Sequence, residues 1–436
     1  MTKNIWILNH YGTNMYRDQA GRHYWFAENL RKLGAKPTIF CASTFHNSNG
    51  KIDIGADKYA SEQVNDIPFV FVKTPDYKGN GRSRIWNMVS FYRNLFPVAR
   101  HYAKRVGKPD VILASSVHPL TLIAGMKIAK KWGIPCVCEI RDLWPESIVA
   151  YGALKKNSIL ARLLYQGEKW IYKKADKLLF TMEGGKDYIV DQGWNQEKGG
   201  PIDLNKVHHI NNGVDLETFE YNKEFHTVDD EDLNNENVFK VVYTGSIRKA
   251  NNVRKMVEAA EYLQFKGHPN IQLLIYGDGT ERAELETYCQ YRELQNIKFK
   301  GFVEKNKIPY ILSRSDLNIM HFEQNSLKRY GASLNKLFEY FASGNPTISD
   351  CEFGYDLIQK YQCGMVIDNA NAKLLAEMII HFSSMPKAEY SVYCNNARVA
   401  AQDYDFTRLT GKLANLLGVE TTDRPMVQTG SETEER

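Results

Sequence analysis

The most constraining feature of this sequence is a regular alternation of short β-rich runs with segments of helical periodicity. Strands are predicted at residues 5–8, 37–41, 111–114 and 135–140, and helices at 22–33 and 120–132. The same alternation starts again at residue 240 and continues to residue 349. Because parallel strands are joined by helical crossovers, this order predicts α/β architecture with parallel sheets.

The length of 436 residues leaves room for two such units. We predict two doubly wound, Rossmann-like domains that face each other across one cleft, at residues 1–214 and 239–418. The last helix of the second domain can pack back on the first domain. Residues 215–236 hold nine acids and one lysine, so 215–238 is expected to be a solvated connection. The polar segment 419–436 is expected to be a disordered tail.

The net charge of +5 is divided unevenly along the chain. Residues 1–214 carry 31 Lys and Arg against 18 Asp and Glu, whereas residues 215–436 carry 25 against 33. This contrast predicts two domains with different partners. No uncharged apolar run of about 18 residues occurs, which argues against an integral membrane protein. The seven cysteines lack metal-ligand spacing, so we expect reduced thiols and a cytoplasmic protein.

The positive charge of the first half is densest at residues 81–108. Eight cations and no acid lie between Asp76 and Asp110, and apolar residues recur there at helical spacing. The pattern predicts a basic amphipathic helix, kinked at Pro97, that binds anionic lipids of the inner membrane leaflet. The alternative is an ordinary helix whose apolar stripe packs into the core. A nucleic-acid partner is not predicted, because no nucleic-acid-binding fold accompanies the charge.

Three glycine-containing turns follow predicted strands, where doubly wound sheets bind anionic ligands. They contain Gly12 in the first domain, Gly245 in Tyr243-Thr244-Gly245, and the Gly277-Asp278-Gly279 turn. Arg248 and Lys249 follow the second of these turns, and this arrangement suits a diphosphate. Each turn has a plain connecting loop as its alternative.

The segment 329–344 is the most informative stretch. Lys336 and Glu339 share one face of a predicted helix, and Gly331 to Ser333 would let a ligand approach its N-terminus. A surface ion pair between Lys336 and Glu339 is the alternative.

Several of these motifs together resemble those of a known family. They are Gly21-Arg22-His23-Tyr24, Glu139-Ile140-Arg141-Asp142-Leu143-Trp144-Pro145-Glu146-Ser147, Asn212-Gly213-Val214-Asp215, the three residues from Tyr243, the turn at Gly277, and Tyr330 to Gly344. In these motifs the chain resembles the retaining family-4 glycosyltransferases of GT-B fold, and is most similar in pattern to bacterial enzymes of O-antigen and capsule assembly.

The resemblance implies a donor site in the second domain. Glu339 takes the place of the last Glu of a Glu-x7-Glu motif, which binds ribose hydroxyls, but the first Glu is replaced by Gly331. The family's two phosphate-binding cations align with Ser246 and Asn251, so we assign this role to Arg248, Lys249 and Lys336. The remaining implied donor-binding residues are Gly12, Gly245, Gly277, Asp278, Ser333 and Asn335.

The resemblance further implies His118, after a first-domain strand, as a catalytic residue together with Glu339, and an acceptor site at Arg22, His23, Arg141 and Asp142. It implies retention of configuration without metal or cofactor, and the chain has no Asp-x-Asp motif.

The predicted activity is hexosyl or N-acetylhexosaminyl transfer from a nucleotide sugar, UDP-linked by resemblance, to a polyprenyl-diphosphate-linked saccharide at the membrane. The alternatives are a nucleotide-sugar epimerase or hydrolase of this fold, and a non-catalytic carbohydrate-binding relative.

Overall fold

The computed structural model describes residues 2–46, 50–79, 81–116, 118–322 and 325–420. Most of the segment predicted to be a disordered tail, residues 421–436, lies outside the described residues.

The first half of the chain forms one eight-stranded sheet. Its strands are β1 (Asn4–Leu8), β2 (Lys36–Ala42), β3 (Tyr59–Val64), β4 (Ile67–Val72), β5 (Val111–Ser115), β6 (Cys136–Ile140), β7 (Lys177–Phe180) and β8 (Val207–His209). They lie in the order β3-β4-β2-β1-β5-β6-β7-β8, and only the β3–β4 pair is antiparallel. The sequence pattern did not predict this hairpin. Its turn residues Asn65 and Asp66 both have positive φ, a conformation that Asn and Asp tolerate better than most residues.

Helices cover both faces of this sheet. They are α1 (Thr13–Asp18), α2 (Arg22–Lys32), α3 (Arg82–Val106), α4 (Pro119–Trp132), α5 (Glu146–Ala150), α6 (Ile159–Lys174) and α7 (Gly185–Asp191). Helices α3, α4 and α6 share one apolar core with the sheet. The short helix α1 lies in the segment between β1 and α2.

The second half forms a fully parallel six-stranded sheet in the order β11-β10-β9-β12-β13-β14. Its strands are β9 (Phe239–Thr244), β10 (Ile271–Tyr276), β11 (Ile297–Gly301), β12 (Leu317–Met320), β13 (Thr347–Ser349) and β14 (Gly364–Val366). The remaining helices are α8 (Leu216–Phe225), α9 (Glu231–Asn234), α10 (Val253–Phe265), α11 (Arg282–Tyr291), α12 (Ile308–Ser313), α13 (Asn335–Ser343), α14 (Leu357–Tyr361), α15 (Ala372–Ser383), α16 (Lys387–Asp403) and α17 (Phe406–Leu417). The predicted pair of doubly wound α/β units is confirmed.

The expectation of an unfolded connection at 215–238 is wrong, because this segment contains α8 and α9. Its acids cap helices: the Asp215 carboxylate accepts from the Thr218 amide at 2.9 Å, and Asp230 caps α9. Phe219 is buried against the second half of the chain. Acidic composition indicated solvation, but side-chain capping and a few buried apolar residues fold the segment.

The long helix α3 runs through Pro97 from Arg82 to Val106. Most of its apolar stripe packs on the first sheet, since Phe91 and Leu95 are fully buried. Only Ile85 and Trp86, at its first turns, are exposed large apolar residues before Pro97. The lipid-facing stripe predicted over 81–108 is therefore mainly a core-facing stripe.

The last helix, α17, crosses back to the first half. The ring of Phe406 lies edge-on to Phe26 at 5.4 Å, and Lys177 Nζ donates to the Leu416 carbonyl at 2.6 Å. These contacts tie the end of the second half to the first sheet.

Candidate active site

A cleft of about 310 Å³ lies between the two halves. The first half contributes the Gly21 turn, Arg22 and Arg141, and the second half contributes Asn335 and Glu339. Further lining residues are Met15, Trp25, Asn212, Asp215, Phe219, Asn222, Lys305, Asn306 and Pro309. Residues far apart in sequence thus meet at the carboxyl ends of the strands, where this architecture binds ligands.

Glu339, on α13, presents a carboxylate to the cleft. Among the described residues no side chain or amide lies within hydrogen-bonding or ion-pairing distance of it. Burial raises the pKa of Glu339, and the charges of Lys305 and Lys336 oppose this shift only in part. A partly desolvated, unpaired acceptor in a cleft suits a ligand that offers hydroxyl donors.

Two helices begin at this cleft without side-chain caps. Helix α2 begins after Gly21, and α13 begins after Leu334. The first amides of a helix have no partner within it and carry the positive end of the helix dipole. Two uncapped N-termini from opposite halves therefore favour an anion between them.

Lys336 adds a positive charge beside the end of β9. Its ammonium lies 3.2 Å from the Tyr243 hydroxyl and 4.4 Å from the centre of the Tyr243 ring. A Cβ at Gly245 would come within 3.0 Å of this ammonium, and a Cβ at Gly277 within 1.8 Å of the Gly245 carbonyl. The two glycines therefore bring the β9 and β10 turns together beside Lys336. Burial lowers the pKa of Lys336 to about 8, although Glu339 raises it.

Arg22 and His23 belong to a buried network centred on Glu139. Arg22 Nε and His23 Nε2 each lie 2.8 Å from the Glu139 carboxylate, which is fully buried. Arg22 also donates to the carbonyls of Ile210 and Asn211. Burial alone would raise the pKa of Glu139, but Arg22 and His23 hold it well below its usual range. Arg22 and His23, which were predicted to bind the acceptor, pair instead with Glu139 and support the wall of the cleft.

Arg141, the next predicted acceptor residue, does line the cleft. Its amide donates to Ser116 Oγ at 3.0 Å, and its guanidinium has no carboxylate partner among the described residues. Asp142 lies instead beside a second, small cavity with His118. Arg141 is therefore the predicted acceptor residue that is free to contact a ligand in the cleft.

His118 lies outside the cleft that contains Glu339. Its Nε2 is 2.7 Å from Nδ1 of His10, and the His10 ring stacks on Tyr11 and Phe91. Burial, helped by the charge of Arg84, lowers the pKa of His118 to about 3. A neutral, buried imidazole in this position supports the first-domain loops, and its predicted catalytic role stays a prediction.

Two family models match the chain. "Glycosyl transferase 4-like domain" matches residues 21–199, and "Glycosyl transferases group 1" matches residues 225–399. The two matched segments coincide with the two halves of the structure, and the cleft lies between them. The chain is therefore a glycosyltransferase with the GT-B fold.

Individual relatives agree with this assignment. The putative teichuronic acid biosynthesis glycosyltransferase TuaH of Bacillus subtilis is 24% identical over 212 residues, about half the length of either chain. HepE of Anabaena, solved in complex with UDP, has a TM-score of 0.64 at 12% identity and covers 96% of this chain and 100% of its own. WaaG, a glycosyltransferase involved in lipopolysaccharide biosynthesis, has a TM-score of 0.61 at 15% identity and covers 95% and 99%.

Several predicted donor residues of this glycosyltransferase lie away from the cleft. Gly12 is buried, and its missing Cβ leaves room for Cys41. Arg248, Lys249 and Asp278 are exposed or half-exposed and do not line the cleft. Ser333 does not line the cleft itself, but it accepts a hydrogen bond at 2.7 Å from the amide of Asn212, which does. Asn335, Glu339 and Arg141 therefore meet at the cleft, Lys336 lies on the same helix as Glu339, and Arg248 and Lys249 are exposed.

Sequence reasoning missed three contributors to the site of this glycosyltransferase: Lys305, Asn212 and helix α8. Lys305 follows β11 and faces the same cleft as Glu339. Asn212 belongs to one of the family-like motifs, but nothing local indicated its contact with Ser333, 121 residues away. Among the described residues no three His, Cys, Asp or Glu side chains form a group that could hold a metal ion.

Proposed function

We propose that this glycosyltransferase moves a sugar from a UDP-linked donor to a lipid-linked saccharide, with retention of anomeric configuration, in bacterial surface polysaccharide synthesis. One observation carries the proposal: the unpaired Glu339 carboxylate stands in the same cleft as two uncapped helix N-termini. A nucleoside diphosphate offers ribose hydroxyls for the first and phosphates for the second. The polysaccharide context is supported by TuaH, named for teichuronic acid biosynthesis, and by WaaG, which is involved in lipopolysaccharide biosynthesis.

The residues of the cleft match the charge changes of such a transfer. Breaking the bond between sugar and diphosphate builds negative charge on the leaving phosphate and positive charge on the sugar. Amides of α2 and α13 and the cations Lys336 and Arg141 would stabilise the leaving group, since pre-oriented donors act strongly where water is excluded. Because these groups supply the positive charge, we propose that the reaction needs neither metal nor cofactor.

The donor can be identified by thermal shift with a panel of nucleotides and nucleotide sugars. A ligand that binds only the folded state stabilises it by about 2.7 kcal/mol at one hundred times its dissociation constant. We expect UDP and one UDP-sugar to raise the melting temperature more than ADP, GDP and their sugars do. A larger shift with another nucleotide would replace the UDP assignment, and incubation with the donor alone would reveal epimerase or hydrolase activity.

The affinity for UDP is expected to fall between pH 7 and pH 9. The Lys336 ammonium, with a pKa of about 8, is charged at the lower pH and largely neutral at the higher one. A neutral amine attracts phosphate weakly, so the dissociation constant should rise by up to about tenfold, as linkage requires. Titration calorimetry at both pH values measures the change. Lys336→Arg should flatten the profile because Arg stays charged, and a wild type with constant affinity would contradict the role of Lys336.

The lipid-linked acceptor is supported by an exposed apolar surface on the first half. Large apolar side chains are exposed at the first turns of α3 and along α6: Ile85, Trp86, Ile159, Leu160, Leu163 and Trp170. Helix α3 follows β4, and α6 follows β6 and α5, so their N-terminal ends lie on the carboxyl side of the sheet, the same side as the cleft. No helix in the described part of the chain could span a membrane. We propose that this surface, flanked by Lys and Arg, rests on anionic lipids of the inner leaflet.

Flotation with liposomes tests the surface. The wild type should float with vesicles containing phosphatidylglycerol and remain behind with neutral vesicles. Leu160→Ser with Leu163→Ser should reduce the bound fraction at least about tenfold, since each buried leucine contributes about 1.5–3 kcal/mol. Phe265→Ser with Phe302→Ser, which alters two still more exposed apolar residues on the second half, is the matched control. Equal binding by all three proteins, or none by the wild type, would contradict membrane association through α6.

A further inference from the structure

A loop of the second half is anchored in the core of the first. This anchor loop, residues 326–333, follows β12 and leads directly into α13, so it belongs in sequence to the donor-binding half. Its central side chain, Tyr330, is nevertheless 7% exposed and packs in the apolar core of the first half. The loop therefore connects the wall of the cleft to the opposite half of the molecule.

Three contacts hold Tyr330 in place. Its carbonyl accepts from the Gly184 amide at 2.9 Å, its hydroxyl donates to Asp191 at 3.0 Å, and its ring meets Tyr188 edge-on at 5.4 Å. A Cβ at Gly184 would lie 2.6 Å from the Cα of Tyr330, so the close approach needs a glycine there. Backbone, ring and hydroxyl of Tyr330 are thus all engaged by the first half.

The other end of the anchor loop is held in the same way. Ser333 Oγ accepts from the Asn212 amide at 2.7 Å, and the Ser333 carbonyl accepts from Asn212 Nδ2 at 2.9 Å. Asn212 lines the cleft, and so does Asn335, two residues beyond Ser333. The first half therefore fixes the loop at the cleft as well as in its core.

At and next to Ser333, the chain offers backbone amides in place of the missing motif glutamate. Gly331 has a φ of 84°, and a Cβ there would lie 3.0 Å from the Gly354 carbonyl. A glutamate at this position would be strained in this backbone conformation. The amides of Ala332, Ser333 and Leu334 have no acceptor among the described residues. The loop can thus donate hydrogen bonds where the family motif would place a carboxylate.

We propose that Tyr330 and Ser333 are positioning residues for the donor sugar, so that the first half completes the sugar end of the donor site. Their contacts with Gly184, Asp191 and Asn212 hold the amides of residues 332–334 next to Asn212 and Asn335, which both line the cleft. This explains how the site works with Gly331 in place of the first motif glutamate. The proposal deepens the proposed function and rests on it, because it assumes a nucleotide sugar held by Glu339 and α13.

The test compares wild type, Tyr330→Phe and Tyr330→Ala in the full chain. Tyr330→Ala should speed hydrogen exchange of the Gly184 and Asn212 amides at least about tenfold, because the free energy of local opening falls. The UDP dissociation constant should change less than about threefold, because Glu339 is untouched, whereas kcat with the donor found by thermal shift should fall at least about tenfold. Tyr330→Phe keeps the ring and should retain most of the wild-type kcat. Tyr291→Ala, an exposed tyrosine of α11, is the control.

Unchanged exchange at Gly184 and Asn212, or a normal kcat in Tyr330→Ala, would overturn the positioning role. If exchange in the core strand β5 also rises in Tyr330→Ala, the decision passes to Ser333→Ala, which removes the hydrogen bond from the Asn212 amide and leaves the core unchanged. Lower kcat with unchanged UDP affinity in Ser333→Ala would support the proposal, and normal kcat would overturn it. A wild type that binds no UDP would overturn the proposed function instead, so the two failures are distinguishable.

Discussion

Replacing Glu339 with alanine is expected to abolish most of the transfer activity while leaving the fold intact. The carboxylate has no protein partner among the described residues, so its interactions are available to the ligand. Two hydrogen bonds from ribose hydroxyls to a charged acceptor contribute about 1.5–3 kcal/mol each. Their loss corresponds to a decrease of about 10²–10⁴ in kcat/KM. Steady-state kinetics and UDP titration measure the effect.

Removing the charge of Glu339 should not lower the stability of the protein, in contrast to its effect on activity. The pKa of this carboxyl is raised in the folded protein, so ionisation of Glu339 above its unfolded pKa opposes folding. Glu339→Gln should therefore leave the free energy of unfolding at pH 7 unchanged or slightly higher, while lowering UDP affinity. Glu258→Gln, on the exposed side of α10, should alter neither property. Near-normal turnover in Glu339→Ala, or a large loss of stability, would contradict the assignment of Glu339 to the ligand.

Replacing Glu139 with alanine is expected to cost the protein about 3–5 kcal/mol of unfolding free energy. Removing one member of a buried ionic network leaves its partners charged, desolvated and unpaired. Here the change would leave Arg22 without its ionic partner and would remove the acceptor that His23 and Ser115 share. Chemical denaturation measures the loss. Because the pKa of Glu139 is depressed in the fold, its contribution is present above about pH 4.5, the ordinary value, and disappears only as pH falls through the lower folded pKa.

The matched control for Glu139 is a surface ion pair. Asp76 lies 3.3 Å from Lys51, and both side chains are largely exposed; such pairs contribute about 0–1 kcal/mol. Asp76→Ala should therefore change stability little. If Glu139→Ala unfolds no more easily than Asp76→Ala, the network does not stabilise the cleft wall as described.

Local patterns accounted for the fold because each unit of the fold is built from nearby residues. Alternating strand and helix periods predicted both sheets, and the confirmed glycosyltransferase assignment followed from short motifs. The antiparallel hairpin at β3 and β4 was missed. The acids of 215–238 were interpreted by composition, although Asp215 and Asp230 act as helix caps, which depend on the exact position of each residue.

Some predicted site residues lie at or near the cleft and others do not, and the reason is packing between elements. Glu339 and Lys336 were predicted because one helix carries both, and α13 turns them towards the cleft and the β9 turn. Arg248 and Lys249 carry the same charge and follow the end of β9, yet both are exposed, whereas the Lys336 ammonium lies over the ring of Tyr243 beside Gly245. Which cation meets a ligand depends on packing between elements, and this information is absent from local spacing.

Sequence patterns were sufficient to predict the two α/β units, the cleft between them and the Glu339 carboxylate that lines it. Which charged side chains remain available to a ligand depends on tertiary packing. The Glu139 carboxylate pairs with Arg22 and His23, which lie more than 100 residues away in sequence. Arg141, close to Glu139 in sequence, has no carboxylate partner among the described residues. Periodicity is a local property that repeats along the chain. Charge pairing depends on which distant residues share a desolvated space, and folding alone brings them together.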